Sequence, residues 1–169
     1  MERNTIEKIL NFLKEKEGKE LPGSWFASIR KLNLIKELEN HPDNIRYIHE
    51  GDLHLSNTNI TKLPNDLYVK GDLYLFNSKQ LTELPNTLYV RRGLFLFRLN
   101  IKELPNDLYV ADDLSLYGCK QIKDLPNNLH VGGDVLITGT QLADKYTDEE
   151  IYDIVASTGG LIAGQILRY

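Results

Sequence analysis

The chain has 169 residues, 41% of them hydrophobic and 26% charged, with a formal net charge of −4. This composition is typical of a soluble globular protein with one or two structural units. Residues 1–50, 51–143 and 144–169 all lack the basic excess that binding to a nucleic-acid backbone requires. No apolar run approaches the roughly 18 residues of a membrane helix, and the single cysteine excludes an internal disulfide. We therefore expect a cytoplasmic protein, in its own cell or in a host cell, without membrane contact.

The first segment, residues 1–44, predicts a helical hairpin. Asn4 is placed to cap one amphipathic helix, residues 4–17, and Ser24 to cap a second one, residues 25–39. A Leu-Pro-Gly turn separates them, and two short helices joined in this way form an αα-hairpin. The hairpin either caps the structure that follows or acts as a separate binding or secretion element.

Residues 45–143 repeat one short phrase, Leu-Pro-Asn-x-Leu followed by an aromatic residue and valine. Its copies begin at Leu63, Leu84, Leu104 and Leu125. An acidic or glycine-containing corner and a short apolar strand follow each copy, and one such strand precedes the first. These strands start at residues 53, 73, 94, 114 and 135, so the spacing alternates between 20 and 21 residues. A fixed period of that size predicts a solenoid, whose units cannot bury a core alone.

Alternation of apolar and polar residues predicts the core. Successive strand side chains face opposite ways, so Leu53 and Leu55 point inward while His54 points outward. The inward series of the first turn continues with Ile60, Leu63, Leu67 and Val69. Each buried aliphatic side chain contributes about 1.5–3 kcal/mol, so this stacked core outweighs any single surface interaction. Residues 45–49 predict a strand that leads into the first turn.

The phrase Leu73-x-Leu75-x-x-Ser78-x-x-Leu81-x-x-Leu84-Pro85 resembles the short bacterial leucine-rich repeats of type III secreted effectors. Repeats of the form Leu-Pro…Leu-x-Val-x-Gly-x-Leu-x-Leu also resemble those in proteins of large bacteriophages. Where the effector repeats carry a buried asparagine ladder, this chain has Thr58, Ser78, Leu99, Cys119 and Thr140. The second apolar segment of each turn, Leu-Tyr-Val, indicates a strand rather than a helix.

Repeats and resemblance together predict an α+β fold. We expect a leucine-rich-repeat-like, β-rich solenoid of about five turns over residues 45–143, with an N-terminal helical hairpin and a C-terminal helical cap, residues 144–169. A capping box at Thr147 and Glu150 begins the cap, and the apolar residues after Gly160 suit either a last strand or a short helix. The effector relatives carry a ubiquitin-ligase domain after their repeats, whereas this chain ends at Tyr169, so that activity is not expected here.

Aromatic side chains recur at the outward strand positions. Two outward columns follow from the repeat, because adjacent strands lie about 4.8 Å apart. One surface combines Tyr74, Phe76, Phe95, Phe97 and Tyr117, and the nearby Arg91, Arg92 and Arg98 are placed to rim it. A second surface is the column Tyr68, Tyr89, Tyr109 and His130. Stabilisation of the sheet accounts for the tyrosine column, at about 0.2–1 kcal/mol per cross-strand pair. Exposed phenylalanine clusters without a polar tip mark partner surfaces instead.

The sequence therefore predicts a non-enzymatic protein-binding module that uses the exposed phenylalanine surface. No nucleophile or acid–base set converges, the His49–His54 region fits no zinc motif, and we expect neither a metal nor a cofactor. The resemblance implies a host enzyme or defence complex as the partner, blocked by occlusion. Two alternatives stay open: glycan or single-stranded nucleic-acid binding by aromatic stacking, and a homodimer or other homo-oligomeric structural protein in which a second copy covers the surface.

Overall fold

The computed structural model describes residues 23–169, so the predicted helix over residues 4–17 lies outside the described residues. Helix α1, Gly23–Glu39, starts two residues before the predicted second helix, and Ser24 therefore lies inside the helix rather than at its cap. Ile35 and Leu38 of α1 are buried in the common core. The helix thus contacts the first turn of the repeats, and Thr61 donates to Glu39 from that turn.

Two parallel sheets of six short strands form the body of the protein. The tyrosine sheet consists of β1 (Tyr47–His49), β3 (Asp66–Val69), β5 (Thr87–Val90), β7 (Tyr109–Val110), β9 (His130–Val131) and β11 (Leu161–Ile162). The phenylalanine sheet consists of β2 (Leu53–His54), β4 (Leu73–Tyr74), β6 (Leu94–Phe95), β8 (Leu114–Ser115), β10 (Val135–Leu136) and β12 (Ile166–Leu167). Each strand pairs in parallel with the next strand of its own sheet, 20 or 21 residues away within the repeats and 31 residues away for β11 and β12, which makes the protein a β-solenoid.

The solenoid has about four turns of parallel strands rather than the five that the repeat count predicted. We number them turn 1 (residues 50–69), turn 2 (70–90), turn 3 (91–110) and turn 4 (111–131), and each ends with one copy of the Leu-Pro-Asn phrase. The strands before and after them come from flanking sequence, which adopts the strand geometry without repeating the phrase. The predicted strand over residues 45–49 is confirmed in its second half, as β1.

Leucine, isoleucine and valine side chains fill the space between the two sheets. Leu53, Leu73, Leu94 and Leu114 lie in register on successive strands, and all four are fully buried. Leu67, Leu88 and Val90 face them from the tyrosine sheet and are also buried. The alternation in the sequence therefore predicted the inward positions correctly. Because each turn contacts only its neighbours, stability rests on stacking between turns.

Polar ladders satisfy the backbone at the corners of the turns. Asp52, Asp72, Asp113 and Asp134 each accept a backbone N–H from the next turn, at 2.7 to 2.9 Å. A second ladder lies inside the solenoid, where the Thr58 and Ser78 hydroxyls donate to the Leu55 carbonyl and the Cys119 thiol donates to that of Leu96. Buried backbone groups need such partners because water does not reach them.

The C-terminal segment completes the last level of both sheets. Helix α2, Gln141–Lys145, leads to helix α3, Asp148–Ser157, which has the predicted capping box at Thr147 and Glu150. Ile151 and Val155 of α3 are buried in the core. The residues after Gly160 form strands β11 and β12, so the open alternative between strand and helix is decided for the strand. None of the helices within residues 23–169 is both long and apolar enough to cross a membrane.

Candidate protein-binding surface

The outer face of the phenylalanine sheet carries one column of stacked rings. His54, Tyr74 and Phe95 occupy the same position on consecutive strands. Their ring centroids are 4.7 and 4.9 Å apart, with interplanar angles of 5° and 8°. Face-to-face contact along the solenoid axis covers most of each ring, so this column presents mainly ring edges to solvent.

A second column on the same face has a different geometry. Phe97 lies 6.2 Å from Phe76 with a 44° tilt and 6.1 Å from Tyr117, which it meets nearly edge-on. Tilted rings leave more of their π faces uncovered than stacked ones do. Phe97 also lies 6.1 Å from Phe95, which joins the two columns into a single patch. We call Tyr74, Phe76, Phe95, Phe97 and Tyr117 the aromatic patch.

The patch is less exposed than the sequence predicted. Tyr117 is 39% exposed, whereas the other four rings are half-buried. Mutual packing explains the difference, because each ring shields its neighbours across a spacing close to that of the strands. Gly93 adds to it, since a Cβ there would lie 2.7 Å from the Phe95 ring. Phe95 therefore rests directly against the backbone of its own turn.

Arg98 borders the patch in an unfavourable backbone conformation. Its φ is +56°, in the left-handed region that glycine and asparagine tolerate best. The equivalent corners of the other turns are occupied by Asn57, Asn77, Gly118 and Gly139. The Arg98 guanidinium carbon lies 5.9 Å from the Tyr117 ring centre, within cation–π range. The predicted rim residue is thus beside the patch, at the cost of local backbone strain.

The other two arginines of the predicted rim lie apart. Arg92 is on the opposite margin of the patch, 3.6 Å from Asp72 and 3.9 Å from each of Asp52 and Asp112. Arg91 continues β5 on the tyrosine sheet, where its N–H donates to Val69, so its assignment to this rim was wrong. The sequence placed the two arginines together because they are adjacent, but they lie at the corner where the chain passes from β5 of the tyrosine sheet to β6 of the phenylalanine sheet.

Asp72 also contacts the patch directly. The Tyr74 hydroxyl donates to its carboxylate at 3.0 Å. Desolvation first, and then this hydrogen bond, raise the pKa of Tyr74 above its ordinary value. This margin of the patch is consequently a network of paired charges.

Turn 3 departs from the repeat at four structural positions. Arg92, Gly93, Arg98 and Leu99 stand where turn 2 has Gly71, Asp72, Asn77 and Ser78. The changes remove one aspartate and one hydroxyl from the two ladders and place an arginine at a left-handed corner. All four flank Phe95 and Phe97. Broken local rules of this kind concentrate at functional sites, where stability is given up for activity.

The outer face of the tyrosine sheet is a regular ladder. Tyr68, Tyr89 and Tyr109 stack with centroids 4.7 and 4.2 Å apart and angles of 6° and 3°, and His130 follows at 6.4 Å. The strand register extends the column to Ile48 and Leu161, which are 54% and 57% exposed. The sequence analysis did not identify Ile48 and Leu161 as the ends of the column, although the alternation of residues around them could have predicted their outward positions.

An open recess of about 700 Å³ lies beside the aromatic patch and was also missed. Its lining includes Lys79, Arg98, Asn100, Tyr117 and Lys120. The alternation between 20 and 21 residues could have predicted it, because turns 2 and 4 contain a Lys-Gln dipeptide where turn 3 has only Asn100. A short turn between two longer ones leaves a depression above it.

The described residues include neither a reactive thiol nor a cluster of metal ligands. Cys119 is fully buried, and burial raises the pKa of its thiol to about 11, far from that of a nucleophile at neutral pH. Within residues 23–169 no group of three or more His, Cys, Asp or Glu side chains is arranged to hold a metal ion.

The fold and the surface together define a β-solenoid protein with one aromatic patch that interrupts its repeat. Comparisons of the chain with protein-family models, curated proteins and solved structures find no match. The repeats of the chain itself are therefore the reference against which its unusual positions are recognised.

Proposed function

We propose that this protein is a non-enzymatic protein-binding module whose contact surface is the aromatic patch. The observation that carries the proposal is the concentration of departures from the repeat around Phe95 and Phe97 in turn 3. If the aromatic rings served only to stabilise the sheet, turn 3 would be expected to keep the glycine, aspartate and asparagine that turn 2 has at its corners. Half-buried aromatic rings next to an arginine are also the residue types enriched at the energetic centres of interfaces.

The stacked columns are poorly suited to binding a glycan or a single-stranded nucleic acid. Stacking ligands need open π faces, but Tyr68, Tyr89 and Tyr109 cover one another's faces at 4.2 to 4.7 Å. Tyr74 and Phe95 do the same at 4.9 Å. The net charge of −4 further disfavours a phosphate backbone.

The resemblance of the repeats supports a narrower version of this proposal. In it, the solenoid is leucine-rich-repeat-like, acts in the cytoplasm of its own cell or of a host, and blocks a host enzyme or defence complex by occlusion. A homodimer through the same patch is the second candidate, supported by the exposed ring of Tyr117 at the edge of the patch.

The test compares two aspartate substitutions on opposite sheets. Phe97→Asp places a charge in the aromatic patch, and Tyr109→Asp places the same charge in the tyrosine ladder. Each variant is checked for folding by circular dichroism, for mass in solution by light scattering, and for capture of partners from a candidate host lysate. We expect Phe97→Asp to remain folded and to lose, by at least about tenfold in affinity, a partner that the unmodified protein captures.

Each other outcome is informative. Retained capture by folded Phe97→Asp contradicts the proposal. Loss of capture with Tyr109→Asp alone assigns the function to the tyrosine sheet. A dimeric mass that becomes monomeric in Phe97→Asp, without any captured partner, identifies the patch as a contact between copies.

A further inference from the structure

The recess beside the aromatic patch is a candidate site of its own. It lies above turn 3 and is bounded by the longer turns 2 and 4, which contribute Lys79 and Lys120. Arg98 enters from turn 3, and Tyr117 connects the recess to the aromatic patch. The remaining lining residues are polar or small, except for Leu99.

The charge of this recess is one-sided. Its lining contains three cationic side chains and no carboxylate. Within residues 23–169, six other cations, among them Arg46, Lys62 and Lys145, lie within 4.0 Å of an acidic side chain. Lys79, Arg98 and Lys120 are among the other cations of this part of the chain, which have no such contact. A recess on the Leu-Pro side, of about 930 Å³, differs because Glu83, Glu103 and Asp107 accompany its single lysine.

The left-handed backbone of Arg98 gives independent support. Arginine at φ +56° is strained, and asparagine or glycine occupies the four equivalent corners. Gly118 accommodates the arginine, because a Cβ there would lie 3.0 Å from the Arg98 Cγ. Turn 3 therefore gives up backbone stability and holds a guanidinium at the junction of recess and patch.

We propose that this recess binds the carboxylates of an acidic protein segment, whose apolar side chain packs on Phe97 and Tyr117. The inference rests on the proposed protein-binding function and names the chemistry of the partner. Arginine forms bidentate hydrogen bonds with a carboxylate, and the two lysines add point charges on either side.

The opposite margin of the same face argues against a nucleic acid in this position. Asp52, Asp72, Asp112 and Asp113 lie along that margin, with Arg92 among three of them. A continuous phosphate backbone crossing the face would meet these carboxylates. A protein segment avoids the repulsion by carrying its acidic residues on one side only.

The experiment uses a synthetic peptide that alternates glutamate with leucine, together with its glutamine–leucine counterpart and a thymidine oligonucleotide. Binding to the ¹⁵N-labelled protein is followed by amide chemical shifts and by fluorescence anisotropy. We expect the glutamate peptide to shift the amides of Lys79, Arg98 and Lys120 and to bind about tenfold more tightly than the glutamine peptide at low salt.

Two charge reversals separate a specific site from general attraction. Lys120→Glu lies in the recess, whereas Lys102→Glu makes the same change in charge on the Leu-Pro side of turn 3. We expect Lys120→Glu to weaken binding of the glutamate peptide by about tenfold and Lys102→Glu to leave it within about twofold. Arg98→Asn, which suits the backbone, weakens binding without unfolding the protein.

Three results would overturn the inference: equal affinity for the glutamate and glutamine peptides, shifts confined to the tyrosine sheet, or tighter binding of the oligonucleotide. The proposed function fails separately, through Phe97→Asp. If Phe97→Asp abolishes capture of a partner and Lys120→Glu does not, the aromatic patch remains the proposed contact surface. The proposal that the recess binds an acidic segment is then wrong.

Discussion

At the scale of single residues, Arg98 is the position where the proposed function and the stability of the fold oppose each other. The repeat offers asparagine or glycine for its corner, and turn 3 instead holds a residue with a Cβ and a long charged side chain at φ +56°. The cation–π contact between Arg98 and the Tyr117 ring, at 5.9 Å, offsets part of this backbone strain. Strain that persists at one position of a repeat is evidence for selection at that position.

Arg98→Asn should stabilise the protein. Removing the left-handed penalty of arginine contributes about 1 kcal/mol, which for a protein of this size raises the midpoint of thermal unfolding by about 2–4 °C. Differential scanning calorimetry measures the shift. Asn77→Arg, the reverse exchange at the equivalent corner of turn 2, is the matched control and should lower the midpoint. A lower midpoint in Arg98→Asn would show that the contact with Tyr117 outweighs the strain.

At the scale of the element, the two sheets use aromatic residues for different ends. The tyrosine ladder is periodic, and its tyrosine rings are parallel. The aromatic patch has tilted rings at 6.1 to 6.2 Å and irregular corners. Parallel rings fix the register of neighbouring strands, whereas tilted rings leave faces that another molecule can cover.

Tyr89→Ala should therefore cost stability and not binding. Tyr89 stacks on Tyr68 at 4.7 Å and on Tyr109 at 4.2 Å. Loss of two aromatic pairs at about 0.5–1.5 kcal/mol each predicts a decrease of about 1–3 kcal/mol in the free energy of unfolding. Urea denaturation measures it, with Tyr89→Phe as the control that keeps the stacked ring. A decrease as large in Tyr89→Phe would place the stabilisation in the hydroxyl.

At the scale of the whole molecule, cooperativity comes from contacts between turns. The two sheets enclose one core that runs from Leu38 of α1 to Val155 of α3, and no turn has a core to itself. A defect in a central turn removes support from both neighbours at once.

Leu94→Ala should destabilise the entire solenoid. Leu94 is fully buried in turn 3, in register with Leu73 and Leu114. A buried leucine-to-alanine change costs about 2–5 kcal/mol, and we expect one cooperative transition, at lower urea, for the circular dichroism of the whole chain. Leu161→Ala, at a side chain that is 57% exposed, should change stability by less than about 0.5 kcal/mol. Two separate transitions in Leu94→Ala would show that the turns on either side of it unfold independently.

The sequence alone determined the solenoid, its period and its inward residues, because both signals are local. Alternation within a strand fixes which side chains face the core, and the Leu-Pro-Asn phrase fixes where each turn ends. The same two signals predicted the strands of the Leu-Tyr-Val segments, and the spacing of Thr147 and Glu150 predicted the capping box of α3. The leucine-rich-repeat resemblance stays a prediction.

Only the tertiary structure decided what the outer surface looks like. Burial of the phenylalanine rings depends on neighbours that are 20 or 21 residues away in sequence, and so does the tilt of Phe97 between Phe76 and Tyr117. Arg91 and Arg92 lie at the corner between β5 and β6, so their placement relative to the two sheets depends on where strand β5 ends. The recess depends on turn 3 being one residue shorter than the turns on either side of it. Ring burial, ring tilt and the recess all depend on contacts between neighbouring turns, whereas the repeat pattern in the sequence describes each turn separately.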